Sequence, residues 1–377
     1  MKRSLGLYLH VPFCKSKCLY CDFCSFPRPE EQTVKAYVKA LLNDLARWGE
    51  RCREFEVDTV YLGGGTPTLL SPARLEAILD GVSRSFHLSP HAEITAECNP
   101  ATGSYPLFAR MRAAGFNRLS IGLQSVHEDE LKALGRIHTL SDFCATFSDA
   151  RRADFENLSA DVMLGIPHQT EERFLKTLEA LTELSPTHIS AYGLSVEENT
   201  PFGRMGDRLV LPDEDATAAM YERGVQFLAE RGWARYEISN FAKDGYESRH
   251  NLKYWNCEPY LGLGPGAHSD LFGERFGNSR DLDAYIEGRD VVCECYRPDP
   301  EERKNEYVML RMRLAEGVLA KDFEERFGEP FEERFAPRLQ KYQREGLVHL
   351  TQKGASFTRE GFYVSNAILC DVLEFPS

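Results

Sequence analysis

Cys14, Cys18, Cys21 and Cys24 fall within eleven residues, in the stretch "VPFCKSKCLYCDFCSF" that begins at Val11. Four thiols in one short loop admit a disulfide knot, a zinc knuckle, an iron–sulfur cluster or a chance grouping of unliganded thiols. Cysteines separated by three and then two residues can wrap one compact inorganic core, and Cys-ligated clusters use runs of this kind. Structural zinc sites more often draw pairs of ligands from separate knuckles. The other seven cysteines, Cys52, Cys98, Cys144, Cys257, Cys293, Cys295 and Cys370, are scattered. An odd total without regular spacing does not read as the disulfide framework of a small secreted scaffold, so a reducing cytoplasm is expected.

Polar groups recur where apolar runs end. "GGGTP" spans Gly63 to Pro67, Glu97 stands in "AECNP", Gln124 in "GLQS", Arg136 in "LGRIHT" and Asp161 in "SADVMLGIP". Successive glycines let backbone approach a ligand closely and expose its N–H and C=O groups. Carboxylates in apolar strands are costly unless paired, so Glu97 and Asp161 need partners, from a neighbouring helix or from a ligand. Further on, "HNLKYW" (His250 to Trp255) combines an imidazole, a good iron ligand, with the flat rings of Tyr254 and Trp255. His268, in "GLGPGAHS", is either a second ligand or the structural residue of a glycine-rich turn.

These groups need a scaffold. Short β-rich runs begin at Leu5, Asp58, Glu93, Arg118, Leu158 and His188, and helical patterns such as "EEQTVKAYVKALLNDLARW", "SPARLEAILDGVSRSF" and "TEERFLKTLEALTEL" lie between them. Ser71 and Thr170 are the expected N-caps of the last two. Six βα units imply a parallel sheet and an α/β fold, a partial (β/α)6 barrel, whose chemistry sits at the C-terminal ends of its strands. Cys14 follows the first strand directly. From Pro298 the rhythm changes to helices, a hairpin in "LVHLTQKGASFT" and a last helix in "VSNAILCDVLEF", an arrangement like a winged helix. The expected division is residues 1–297 for the barrel with its elaborations, including "HNLKYW", and 298–377 for the C-terminal domain.

Charge and hydropathy limit the partners. The net charge is −13, and Glu301 to Ser377 carries twelve Lys/Arg against fourteen Asp/Glu. Neither suits a phosphate backbone, so no nucleic-acid partner is expected. The apolar start of "MKRSLGLYLHVPFC" is interrupted by His10 and Pro12, so export is not expected. No run approaches the ~20 apolar residues of a membrane span, and any membrane role would be peripheral.

The spacing C-x3-C-x2-C, with Tyr20 before the third cysteine, resembles the signature of the radical S-adenosylmethionine (SAM) superfamily. The resemblance implies that Cys14, Cys18 and Cys21 hold three irons of a [4Fe–4S] cluster. The fourth iron is left for the amino and carboxylate groups of SAM, and Cys24 is then a non-ligand. It further implies that the segment with Gly64, Gly65 and Thr66 meets the methionine amino group. Glu97, Gln124 and Asp161 would bind the ribose and methionine parts, Arg136 the carboxylate, and Tyr8 and Tyr20 would also contact the cofactor.

"YLHVPFC", "GGGTP", "ECNP", "LSIGLQS" and "LGRIHT" resemble more narrowly the coproporphyrinogen dehydrogenase group. That group holds the oxygen-independent coproporphyrinogen III dehydrogenases and a family of haem chaperones. Three features favour the chaperones. Phe23 stands where the dehydrogenases have a fourth cysteine, the position of Cys14 is expected to leave no room for their long N-terminal extension, and "HNLKYW" matches the chaperones' H-N-x-x-Y-W motif. The implied cargo is haem, with His250 as its ligand or contact. The implied partners are client haemoproteins, such as membrane-bound respiratory proteins, and an electron donor if SAM is cleaved. The alternative is a dehydrogenase that uses the same cluster and SAM residues to decarboxylate porphyrinogen propionates. No catalytic residue is assigned.

Overall fold

The computed structural model describes residues 2–373. Its barrel strands are β1 (Arg3–Val11), β4 (Phe55–Gly64), β5 (Leu88–Cys98), β6 (Arg118–Gln124), β7 (Asn157–Leu164) and β8 (His188–Gly193), while β2 (Phe13–Cys14) and β3 (Phe26–Pro27) form a small separate ladder. All six expected strands form. β6 shows why these runs are parallel strands: all seven of its residues are buried. A strand buried on both faces must lie between an outer layer of helices and a filled interior.

Side chains alternate along a strand, so Leu119, Ile121 and Leu123 face one way and Arg118, Ser120, Gly122 and Gln124 the other. The first set joins the main apolar core. Ser120, Gly122 and Gln124 line the barrel interior instead. The outer layer is α1 (Glu31–Arg51), α2 (Pro72–Ser85), α3 (Tyr105–Ala114), α4 (Glu128–Ala133), α5 (Leu140–Arg152) and α6 (Glu171–Glu183). In α1 the buried Val34, Tyr37, Val38, Leu41, Leu45 and Trp48 follow helical spacing and cover the sheet. Each such side chain contributes about 1.5–3 kcal/mol on burial. Thr170 caps α6 by accepting from the Arg173 N–H. Ser71 stands at the N-cap of α2 but its hydroxyl makes no capping bond; Pro72 at the first helical position presets the backbone there.

The sheet extends past the six units. After α7 (Glu214–Ala229), β9 (Ala234–Arg235) and β10 (Asn240–Ala242) add antiparallel strands beyond β8. α8 (Arg249–Trp255) then leads to β11 (Tyr260–Leu263), which pairs with β1 in parallel, and β12 (His268–Leu271), β13 (Glu274–Asn278) and β14 (Val292–Tyr296) continue antiparallel. The result is one open twelve-stranded sheet in the order β14-β13-β12-β11-β1-β4-β5-β6-β7-β8-β10-β9. Its parallel part has seven strands, because β11 adds one outside β1.

After α9 (Leu282–Ile286), a second core gathers Tyr307, Phe323, Phe331, Phe335 and Phe362 with other residues up to Leu373. It packs α10 (Pro300–Arg311), α11 (Ala320–Phe327), α12 (Phe331–Arg334), α13 (Ala336–Arg344), α14 (Arg359–Tyr363) and α15 (Ser365–Val372) on a three-stranded sheet. The strands are β15 (Val318–Leu319), β16 (Val348–Thr351) and β17 (Gly354–Phe357), in the order β15-β17-β16. The helical pattern of "FEERFAPRLQKYQREG" is broken at Phe335, where Pro337 opens α13 as a new first turn. The end of the expected last helix lies outside the described residues.

Candidate functional site

At the C-terminal ends of the barrel strands lies a cavity of about 880 Å³. The loop between β2 and β3 forms one side of it, with Cys14, Cys18 and Cys21 on the wall. Backbone bonds pin this loop: Gly65 N donates to Val11 O (2.9 Å), Thr66 N to Phe13 O (2.7 Å), and Leu19 N to Leu134 O (3.0 Å). "GGGTP" is therefore a brace for the sulfur loop. A Cβ on Gly65 would lie 2.6 Å from the Phe13 carbonyl oxygen, and one on Gly64, at φ +99°, would enter the His10 ring. The Thr66 hydroxyl reaches Cys14 Sγ at 3.7 Å.

None of these cysteines is in a disulfide. Burial pushes the thiols of Cys14 and Cys21 up, so they resist ionisation until a metal or cation faces them. Among the described residues no three His, Cys, Asp or Glu side chains converge closely enough to hold a single metal ion. Cys24 lines the same cavity, but it is buried and its thiol approaches the Arg280 carbonyl at 3.6 Å. Its own carbonyl receives the His10 ring at 2.7 Å. Arg280 also clamps the loop from outside through Asp22 (2.9 Å).

The opposite wall is polar. Gly64 N donates to Glu97 Oε2 (3.1 Å) and the Tyr61 hydroxyl to Glu97 Oε1 (3.0 Å). Asp161 accepts from Ser120 Oγ at 2.9 Å. Burial, then the nearby Asp161 charge, raises the Glu97 carboxyl to about 7 against the opposing pull of Tyr61 and Gly64. Burial raises Asp161 as well. Gln124 has φ +66°, which turns its amide inward to accept from the Tyr192 hydroxyl at 3.0 Å. Arg136 donates to the Tyr20 hydroxyl at 3.1 Å, and its Nε is buried with no hydrogen-bond partner among the described residues. Tyr8 stands over Tyr61 and bonds to His10 Nδ1 (3.0 Å). All twelve residues named from the sequence for cluster and SAM thus line one cavity. Tyr61, Tyr192, His10 and Arg280, which support them, were missed; nothing in their sequence context distinguishes them from core or surface residues.

His250 is elsewhere. It is the second residue of α8, whose N-cap Ser248 accepts from Asn251 N, while Glu93 takes two more first-turn donors: Oε1 accepts from His250 N (3.0 Å) and Oε2 from Arg249 N (3.2 Å). The helix seals the barrel beneath the cavity. The His250 ring is 1% exposed, stacks on Tyr61, and has both nitrogens engaged, Nδ1 with Thr59 Oγ1 (2.8 Å) and Nε2 with the Tyr254 hydroxyl (2.9 Å). Burial, with Lys253 and Arg118 nearby, lowers its pKa to about 3. No free nitrogen of the His250 ring, expected from the sequence as haem ligand or contact, meets either cavity. Lys253, also buried, anchors the same turn to Asp58 (2.8 Å) and Glu258 (3.0 Å).

Trp255 faces a second cavity of about 760 Å³ beside the first, and Tyr254, whose hydroxyl holds His250, lines it too. Tyr254, Tyr260, Asn240 and His268 line both, so the two are contiguous. Phe23, on the rim of the first cavity, is 65% exposed.

The family model described as the radical SAM superfamily matches residues 8–181, and that of the HemN C-terminal domain matches residues 299–364. The heme chaperone HemW of Bacillus subtilis (strain 168) is 34% identical over 374 residues, covering 96% of this chain and 97% of the relative. That of Escherichia coli (strain K12) is 39% identical, covering 85% of each. The mitochondrial radical S-adenosyl methionine domain-containing protein 1 of Bos taurus is 33% identical, covering 98% of this chain and 87% of the relative. Among solved structures, the coproporphyrinogen III oxidase HemN of Escherichia coli superposes with a TM-score of 0.87 at 22% identity, covering 100% of this chain and 91% of that one. This last likeness concerns the fold.

Proposed function

This chain belongs to the radical SAM superfamily and, within it, to the family of heme chaperones; from that membership we propose that it binds haem and delivers it to client haemoproteins. The observation that carries the reading is full-length similarity to heme chaperones, 34% identity across 96% of the chain. The exposed Phe23, in place of a further thiol at the cavity rim, supports it.

In this reading Cys14, Cys18 and Cys21 hold a [4Fe–4S] cluster. When bound, the cluster supplies an open coordination position and a one-electron couple. The chain's own groups do the rest. Gly64, Gly65 and Thr66 offer backbone to the methionine amino group, Glu97, Gln124 and Asp161 take the ribose and methionine parts of SAM, and Arg136 its carboxylate, with Tyr8 and Tyr20 alongside. The orphaned Arg136 Nε and the raised Glu97 carboxyl support this, since both are groups that a charged ligand would satisfy. The cluster and SAM serve assembly or haem release. The clients are membrane-bound respiratory haemoproteins met peripherally; among the described residues no helix is long and apolar enough to cross a membrane. An electron donor is needed only if SAM is cleaved.

The test against catalysis is anaerobic turnover of coproporphyrinogen III by the reduced, cluster-loaded protein with SAM, beside a known dehydrogenase. No product is expected while the control turns over; multiple turnovers to protoporphyrinogen would overturn the chaperone reading.

A further inference from the structure

The second cavity is a site that none of the cluster or SAM residues needs. Part of its wall is aromatic, from Tyr254 and Trp255 at the end of α8, Tyr260 in β11, Phe276 in β13 and Tyr296 in β14, and the carboxylates Glu237, Asp270, Glu294 and Glu306 line the rest with other polar groups. Tyr254 and Tyr260 meet edge to face at 4.7 Å, which fixes both rings. Its volume, about 760 Å³, lies in the range of pockets that enclose small-molecule ligands.

One histidine distinguishes it. His10, His127, His138, His188 and His250 each engage a ring nitrogen in a hydrogen bond, and His87 faces Glu56. Of the rest, His268 alone lines a cavity, and its ring has no hydrogen bond or ion pair among the described residues. It is exposed on β12, directly across the ladder from Gly277. A Cβ at Gly277 would fall 2.8 Å from the imidazole Cε1 and Nδ1, so this glycine makes the room in which the ring lies.

The polar wall is equally specific. Arg275 is consumed by Asp270 and Glu306. Arg313 is not: Nη2 donates to Asn366 (3.0 Å), but Nε is buried with no hydrogen-bond partner among the described residues, and the Asn240 amide oxygen is likewise buried and unsatisfied. An arginine with unused donors at the edge of an aromatic slot suits a carboxylate.

We propose that this second cavity is the haem seat, with His268 as the axial ligand to iron, Tyr254 and Trp255 against the porphyrin face and Arg313 on a propionate. This rests on the haem-chaperone reading and locates its cargo. It also divides "HNLKYW" between two roles, with His250 and Lys253 anchoring the helix while Tyr254 and Trp255 present the aromatic wall. Because His268 stands where the two cavities meet, bound haem would border the cluster cavity.

The test is titration of the cluster-loaded full chain with ferric haem, followed through the Soret band. The wild type is expected to bind one haem with a histidine-ligated spectrum. His268→Ala should weaken binding at least about tenfold and lose that spectrum at unchanged cluster absorbance, and added imidazole should restore it. His268→Met, which keeps the side-chain bulk, should bind with a shifted spectrum and guards against misfolding of the alanine variant. Wild-type affinity and spectrum in both variants would overturn this assignment and leave the chaperone reading standing. Failure of the wild type to bind haem would overturn both.

Discussion

Glu97 gives the most quantitative prediction. Its carboxyl is raised from 4.5 to about 7, first by burial and then by Asp161. At ~1.4 kcal/mol per pK unit, ionising it costs the ligand-free protein about 3 kcal/mol. The sign follows from the direction of the shift: the cost is absent below the unfolded value and complete above about pH 7, so it destabilises the ligand-free chain as pH rises. If SAM binds the ionised form, ligand binding releases a proton, and apparent affinity should rise roughly tenfold between about pH 6 and about pH 8. The assay is anaerobic equilibrium binding of SAM to the cluster-loaded protein across that interval, for the wild type and for Glu97→Gln. The variant should bind more weakly at the upper end and show a shallower rise, since its amide does not titrate and only the amino group of SAM still does. Equal pH slopes in the two proteins would refute the placement of Glu97 against the ligand.

Two further predictions rest on the same geometry. Cys14→Ala, Cys18→Ala and Cys21→Ala should each abolish the cluster's visible absorbance after reconstitution, whereas Cys24→Ala should retain it because that thiol faces the Arg280 carbonyl; loss in the Cys24 variant would contradict the three-ligand reading. His250→Ala should cost about 2–4 kcal/mol of stability in chemical denaturation, by leaving Thr59 and Tyr254 without a partner and opening a void beside Tyr61. Its folded fraction should still bind haem with a histidine spectrum, and a variant of unchanged stability that loses that spectrum would return His250 to the iron.

Much of the barrel was legible because its strands are apolar on the helix-facing side and bounded by chemistry at their ends. Glu97, Gln124 and Asp161 stand out as polar residues in apolar runs, and the sulfurs announce their loop by spacing alone. What escaped was direction. The sequence of "HNLKYW" shows which side chains are present, but helical geometry sends His250 into the barrel and Trp255 to the adjoining cavity, and that depends on Glu93, distant in sequence, accepting from the first turn of the helix. β11 was missed because "YLGL" is too short to show periodicity; its strand character comes from pairing with β1. Phe335 interrupts a continuous helical pattern because Pro337 removes a backbone donor two residues later.

The central claim is delivery of haem, and one measurement tests it most directly. The cluster-loaded protein carrying one haem is mixed with an apo-haemoprotein of the respiratory chain in membrane vesicles, and the haem spectrum of each partner is followed after separation. Transfer to the client faster than from free haem in buffer, with the protein recovered haem-free, is the predicted result. Retention of haem by the protein, or transfer no faster than free haem achieves alone, would contradict the account.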